Sequence, residues 1–259
     1  MSTQRVLQPV WDCILSNCGQ LVSFWLFPII LGWIVYTSVG IYFSVKDIGP
    51  WRSERTRIHK DIWPSKSKVL YIGGIQVILY ALMNIFFWFA FPYFVKMPKE
   101  APTLWEVGRD FCISMLIGDF LIYLDHVLHH KVKFLYRNIH YVHHRFTNDL
   151  FSWCAGWVNP IENLVFAFLL MLYPWLLFPI HPLSLWIFEG VFIALFLEEH
   201  SGHDVWWSPH NWVPSIFGGA VPHELHHTKL KVNFGFVFAI WDRTFGTYLP
   251  PTKAIENHK

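Results

Sequence analysis

Two long stretches of the chain carry no charged residue: residues 21–45 and residues 69–95. About 20 apolar residues in a helix span the hydrocarbon core of a bilayer, so both are predicted to be membrane helices. Pro28 and Gly32 in the first are tolerable there. Gly73-Gly74 in the second suits close approach of another helix. A third apolar segment covers residues 111–128. A further pair, 161–180 and 183–197, is broken by the two prolines of FPIHP (178–182). The second member is short and holds Glu189, so this pair either spans or re-enters. Residues 1–20 read as a short terminal arm, without the apolar run of a cleavable signal peptide. Phe217-Gly218-Gly219 reads as a flexible connection. The aromatic-rich tail after it is predicted to lie on the membrane surface or to pack against the head of the protein.

The fold class that follows is all-α, a polytopic membrane helical bundle. Composition agrees: 54% of the residues are hydrophobic, 19% are aromatic and only 15% are charged. The loop 46–68 carries seven basic residues and the loop 96–110 only three, which places the first on the cytoplasmic side. A net charge of +2 gives no reason to expect a nucleic-acid partner. Cys112 and Cys154 read as small hydrophobes, and Cys13 and Cys18 are not expected to pair. The chain has no repeat or interdomain linker. It divides into residues 1–110, the arm with two membrane helices, and residues 111–259, within one membrane unit.

Chemistry concentrates in residues 125–144, DHVLHHKVKFLYRNIHYVHH. This stretch holds His126, His129, His130, His140, His143 and His144. PHELHH (222–227) adds His223, His226 and His227, and EEHSGH (198–203) adds His200 and His203. On an α-helix, positions i, i+3 and i+4 share a face. His126 with His130 would therefore form one ligand face, His140, His143 and His144 a second, and His223, His226 and His227 a third. Neutral imidazole is a common metal ligand, and so many nitrogens suit two ions. His129 lies off the first face. His203, His210, His181, His59 and His258 are expected to be structural or surface residues. Asp119 shares a helical stripe with Tyr123, His126 and His130, and an ionisable group in a membrane segment suggests function. Asp119 and Asp125 are read as carboxylates that orient liganding imidazoles. If the basic loop is cytoplasmic, the third segment returns the chain there, and the histidines form a cytosolic-facing di-metal site.

Two other chemistries fit parts of this pattern. His223-Glu224-Leu225-His226-His227 satisfies H-E-x-x-H, the zinc metalloprotease spacing with Glu224 as general base. It leaves His126 to His144 without a role. A metal transporter would place ionisable residues in several spanning helices, and the first two have none.

The boxes HVLHH (126–130), HYVHH (140–144) and HELHH (223–227), with EEHSG (198–202) and WDRTFGT (241–247), resemble the fatty acid hydroxylase/sterol desaturase superfamily. The resemblance implies a monooxygenase of the endoplasmic reticulum membrane, multi-pass, with its histidines on the cytoplasmic face. It implies a non-haem centre of two iron ions. Electrons would come from NADPH through a separate reductase or cytochrome b5, and the substrate would be a sterol or another lipid. Carried over by motif, His126, His130, His140, His143, His144, His200, His223, His226 and His227 are the implied metal ligands, with His129 retained as a possible one. Residues 111–259 would be the catalytic region. Overall likeness points to hydroxylation of a sterol, with C4-methylsterol oxidation and fatty-chain hydroxylation as alternatives in the superfamily. Two departures stand out. His203 occupies a position where relatives usually carry Tyr, and Asn159-Pro160-Ile161-Glu162 stands where C4-oxidising relatives often have His-Pro-x-Glu.

Overall fold

The computed structural model describes residues 5–23, 26–90, 97–171 and 173–251. Ten α-helices account for most of them: α1 (Gln8–Ser23), α2 (Leu26–Ile48), α3 (Lys66–Ala90), α4 (Leu104–Lys131), α5 (Lys133–Asn138), α6 (Pro160–Met171), α7 (Tyr173–Leu177), α8 (Pro182–Glu199), α9 (Ala220–Lys229) and α10 (Ile240–Phe245). Short 3₁₀-helices run over His140–Arg145, Ser152–Gly156 and Pro209–Asn211. The described residues form no strand, only two isolated bridges, so the all-α expectation stands.

Two of these helices are long and apolar enough to cross a membrane by length and composition, Ile29–Ile48 and Leu104–Lys131. The first matches the predicted segment 21–45, of which residues 24–25 lie outside the described residues. The second contains the predicted segment 111–128. The predicted segment 69–95 falls largely on α3, and residues 91–95 lie outside the described residues. The segment 161–180 divides into α6 and α7, and 183–197 lies within α8. Exposed apolar side chains cover the outer faces of these helices, among them Ile34 and Ile41 on α2, Leu70 and Ile78 on α3, and Leu116 and Leu124 on α4. Apolar side chains exposed on this scale mark an interaction surface rather than a water-facing one.

Local sequence explains most element boundaries. Thr103 and Glu106 form a reciprocal cap at the start of α4, each side chain engaging the other residue's backbone N–H. Pro182 opens α8, where the helix needs no N–H. The His181 ring accepts from Leu183 N–H at 3.0 Å, so this histidine is structural, as expected. The predicted terminal arm is not irregular: Gln8–Ser23 is helical, and Trp11 from it is buried against Trp186. Composition had suggested a polar arm, but Trp11, Ile14 and Leu15 recur at helical spacing and face the body.

Packing centres on α8, which lies against both α2 and α4, while α3 lies against α2. Trp153, from the Ser152–Gly156 turn, is wedged between α2 and α3, and its indole N–H donates to Ser44 Oγ at 2.7 Å. The wedge needs glycine on both sides. A Cβ at Gly40 would come within 2.2 Å of the Trp153 ring, and one at Gly73 within 2.8 Å. Gly73 therefore admits a tryptophan rather than a helix, and Gly74 faces open space.

A buried polar knot ties the N-terminal half to the segment that follows α8. Arg57 donates to Asp47 Oδ1 at 3.3 Å, to the Leu150 carbonyl at 2.8 Å and to the Ile62 carbonyl at 3.1 Å. His203 Nε2 lies 3.1 Å from the same Asp47 oxygen, and Thr56 Oγ1 lies 2.9 Å from His203 Nδ1. Both Asp47 and Arg57 are buried. Removing one member of such a pair strands the other, at about 3–5 kcal/mol. Arg57→Met is expected to lower stability by that amount, read as a large drop in the thermal unfolding midpoint in detergent. An unchanged midpoint would show that the knot is not structural.

Candidate metal centre

The histidines assemble from four places in the chain. α4 presents His126 and His130, the 3₁₀-helix His140–Arg145 presents His140, His143 and His144, the end of α8 presents His200, and α9 presents His223, His226 and His227. They sort into two groups whose nitrogens lie within 4.8 Å of one another. His126, His130, His140, His144 and His226 form one, and His143, His200, His223 and His227 form the other. The groups are adjacent, with the His144 and His227 ring centroids 4.5 Å apart.

This partition corrects the expectation of one face per box. The second box is 3₁₀, not α, and it divides its histidines between the groups. The third box does the same, sending His226 to the first group and His223 with His227 to the second. Each box therefore bridges rather than serves one centre, apart from His126 and His130.

The ring orientations are fixed from outside. His126, His200, His226 and His227 each place Nδ1 2.8–2.9 Å from a backbone carbonyl: those of Phe234, Phe196, Val232 and Phe146 in turn. A carbonyl only accepts, so Nδ1 carries the proton and Nε2 keeps its lone pair. His140 Nδ1 lies 2.5 Å from Glu162 Oε1, and His223 Nδ1 lies 2.5 Å from Glu199 Oε1. The His140 ring takes the same tautomer, while the His223–Glu199 contact is close without hydrogen-bond geometry. The inward Nε2 atoms then meet one another. Separations are 2.9 Å for His140–His130, 3.0 Å for His144–His130, 2.9 Å for His223–His200 and 3.0 Å for His227–His223. His126 Nε2 is buried without a hydrogen-bond partner.

Five rings, those of His126, His140, His200, His226 and His227, thus turn lone pairs into the groups, His126 Nε2 without any donor, and burying such acceptors unsatisfied is costly. A cation at the focus of each group removes that cost. Nitrogen ligands about 2.1 Å from a metal and at right angles to one another stand about 3.0 Å apart, so the spacing fits. An all-imidazole donor set suits iron, zinc or copper. Burial and, secondarily, neighbouring imidazoles hold His143, His200, His223 and His226 well below the usual histidine range. Burial brings His227 down to about 3. The rings are thus neutral near pH 7, the form that ligates.

Several sequence-predicted residues take other places. His129 stands outside both groups: its Nδ1 lies 3.0 Å from the Asp125 carbonyl and 3.3 Å from the Asp125 carboxylate. Asp125 thus faces His129, not an imidazole of either group. Asp119 does not touch a histidine either. Its carboxylate accepts from Val237 N–H, Phe238 N–H and the Trp241 indole at 2.7, 3.1 and 2.9 Å. Its effect on His126 passes through the backbone, because it secures the segment that carries the Phe234 carbonyl. The orienting carboxylates are instead Glu162 and Glu199. The second was legible as the acid beside His200 in EEHSG; the first required knowing that α6 folds back onto the 3₁₀-helix. His203 is spent on the Asp47 knot and adds no ligand. Glu224 points away from the centre, 3.1 Å from His59 Nε2, so the general base of a metalloprotease is missing from its place.

The Phe217-Gly218-Gly219 connection is pinned rather than loose: Gly218 N–H donates to the Val237 carbonyl at 2.9 Å. Gly219 adopts φ +132, and a Cβ there would meet His210 at 2.8 Å. The tail packs on the head. Asp242 accepts from Phe234 and Gly235 N–H and so holds the loop below the first group.

Two outcomes follow. Glu162→Ala and Glu199→Ala are each expected to weaken metal binding 10–100-fold, read as metal per chain after dialysis, with Glu224→Gln unaffected. Equal metal in all three would remove the orienting role. Metal-free protein should also lose stability as the pH falls from 6.5. Unfolded histidines take up protons there and the buried ones do not, a slope of up to about 1.4 kcal/mol per pH unit per histidine. A midpoint that stays flat from pH 7.5 to 5.5 would contradict the burial argument.

The Fatty acid hydroxylase family model matches residues 111–247, which contain every member of both groups. Rat cholesterol 25-hydroxylase is 34% identical over 254 residues, covering 95% of this chain and 84% of the relative. The human cholesterol 25-hydroxylase is 34% identical over 255 residues, covering 95% and 92%. The zebrafish cholesterol 25-hydroxylase-like protein is 32% identical over 249 residues, covering 93% and 97%. No solved structure matches. The chain belongs to the fatty acid hydroxylase family and is an oxidoreductase of the hydroxylase type.

Proposed function

We propose that this protein is a multi-pass membrane monooxygenase that hydroxylates an aliphatic C–H of a sterol, with cholesterol at C25 the preferred reading. The observation that carries the chemistry is the convergence of nine imidazoles, eight of them buried, into two adjacent groups. The relatives named above, similar along nearly the whole chain, carry the substrate class. His126, His130, His140, His144 and His226 would hold one iron ion, and His143, His200, His223 and His227 the other. Iron bound there supplies the O₂ activation that an unactivated C–H bond demands. Electrons would come from NADPH through a separate reductase or cytochrome b5.

The chain's own residues set the reaction's surroundings. A small cavity beside the two groups has an apolar side of Ile122, Phe166, Phe196 and Phe236 and a polar side of His126, His140, His143, Asp125, Glu162 and Asn163. Apolar walls accept a hydrocarbon end and exclude water from the reacting carbon. Glu162 Oε1 and the Phe234 carbonyl hold the outer nitrogens of His140 and His126, so the rings facing this cavity cannot turn. Residues 1–110 anchor the enzyme and 111–259 form its catalytic region. The basic loop 46–68 supports an orientation with the histidines on the cytoplasmic face of the endoplasmic reticulum.

The test is mass spectrometry of sterols and fatty acids from cells expressing the chain or its His144→Ala variant. A sterol heavier by one oxygen on the side chain is expected, and the variant should reduce it at least 100-fold. Loss of a C4 methyl or an oxygenated fatty chain would replace the substrate assignment, and full activity in the variant would sink the metal-ligand assignment.

A further inference from the structure

We propose that the surface formed by α5 and the C-terminal ends of α4 and α9 is the docking site of an acidic, one-electron carrier protein. This rests on the hydroxylase reading above. Inserting one oxygen atom of O₂ into a C–H bond and releasing the other as water consumes two electrons and two protons. A one-electron carrier supplies the electrons in two visits, being oxidised by one electron each time, and solvent supplies the protons. Such a carrier must approach the metal-binding groups where they come nearest the surface.

Three independent observations meet at this place. First, His130 is the one partly exposed member of the nine grouped imidazoles; the other eight are buried. Second, a line of rings leads from His130 outward. Tyr136 lies 5.3 Å from His130 and 6.0 Å from His144 between ring centroids. Tyr141 lies 6.2 Å from Tyr136 and is half exposed. Third, positive charge surrounds that exit. Residues 131–145 contain Lys131, Lys133, Arg137 and Arg145 and no carboxylate. Lys229 and Lys231 flank Leu230, whose backbone lies beside the His130 ring. All six basic side chains are exposed, and none has an ion-pair partner among the described residues. Six unpaired positive charges on a chain of formal net charge +2 are a strong local excess.

Charge of one sign at a surface steers an oppositely charged partner and sets its on-rate more than its final affinity. The exposed Phe134 and Val132 add an apolar patch to the same surface, so an anionic bilayer could use its charges too. A lipid contact would account for the lysines but not for the ring line converging on the least-buried imidazole. The carrier is therefore the favoured occupant.

The experiment uses the full-length, iron-loaded enzyme in phosphatidylcholine nanodiscs, with the reduced soluble haem domain of cytochrome b5 as the probe. Its reoxidation is followed by haem absorbance in the presence of sterol and O₂. The variant is Lys133→Glu/Arg137→Glu/Lys229→Glu/Lys231→Glu, and Lys60→Glu/Lys66→Glu is the control for basic residues elsewhere. Reoxidation at low salt is expected to slow at least tenfold in the fourfold variant and not in the control, with the gap narrowing as salt rises. Product from a single turnover after dithionite reduction is expected to be the same in all three proteins. Unchanged reoxidation in the variant, equal slowing in the control, or loss of the dithionite turnover in the variant alone would each overturn the docking site. A defect seen only when phosphatidylserine is present would reassign the surface to anionic lipid. Failure of the unsubstituted enzyme to form product after dithionite reduction would overturn the hydroxylase reading instead.

Discussion

Unshared lone pairs turned inward organise this molecule. Four ring nitrogens in one group and five in the other point inward, and most of these rings keep their lone pair on that side. The arrangement is built in from the outside, because backbone carbonyls and Glu162 take the protons on the far side of those rings. Once those protons are committed, positive charge at the focus of each group would satisfy the lone pairs turned inward. Such second partners of a liganding ring fix its tautomer and raise its basicity.

The elements that supply those outer acceptors are scattered along the chain, which explains why so much of it is committed to one region. Phe146 follows the second box, Phe196 lies within α8, and Val232 and Phe234 belong to the loop after α9. Asp119 and Asp242 then hold that last loop against α4. The Asp47–Arg57–His203 knot does the equivalent service for the segment after His200. Buried polar groups far from the centre are therefore connected to it through backbone that they immobilise. The apolar outer faces of α2, α3 and α4 play no part in this and are left exposed.

Much of this was legible in the residues. Apolar runs located the helices, and the H-x-x-H-H repeats singled out eight of the nine histidines that the structure gathers, with His200 of EEHSG the ninth, because spacing on a local element is a short-range property. Partition between the groups was not legible. It depends on whether HYVHH winds as α or 3₁₀, and a six-residue segment carries too little propensity to decide that. The carboxylates were not legible for a related reason. Asp119 shares a helical stripe with His126 and His130, yet the acids that lie beside grouped rings come from α6 and α8, brought in by tertiary packing. His203 shows the converse. It sits in a histidine-rich motif but is drawn away by Asp47, a residue 156 positions earlier.

The winding of the second box has a consequence of its own. A 3₁₀-helix rises about 2.0 Å per residue and brings i and i+3 into eclipse. His140 and His143 are therefore translated along one line by about 6 Å with little rotation, and their ring centroids stand 5.4 Å apart. An α-helix would place the same pair closer along the axis and turn one away from the other. The segment acts as a ruler, with one graduation at each centre. The interval between the two groups is thus set by the backbone pitch of this turn.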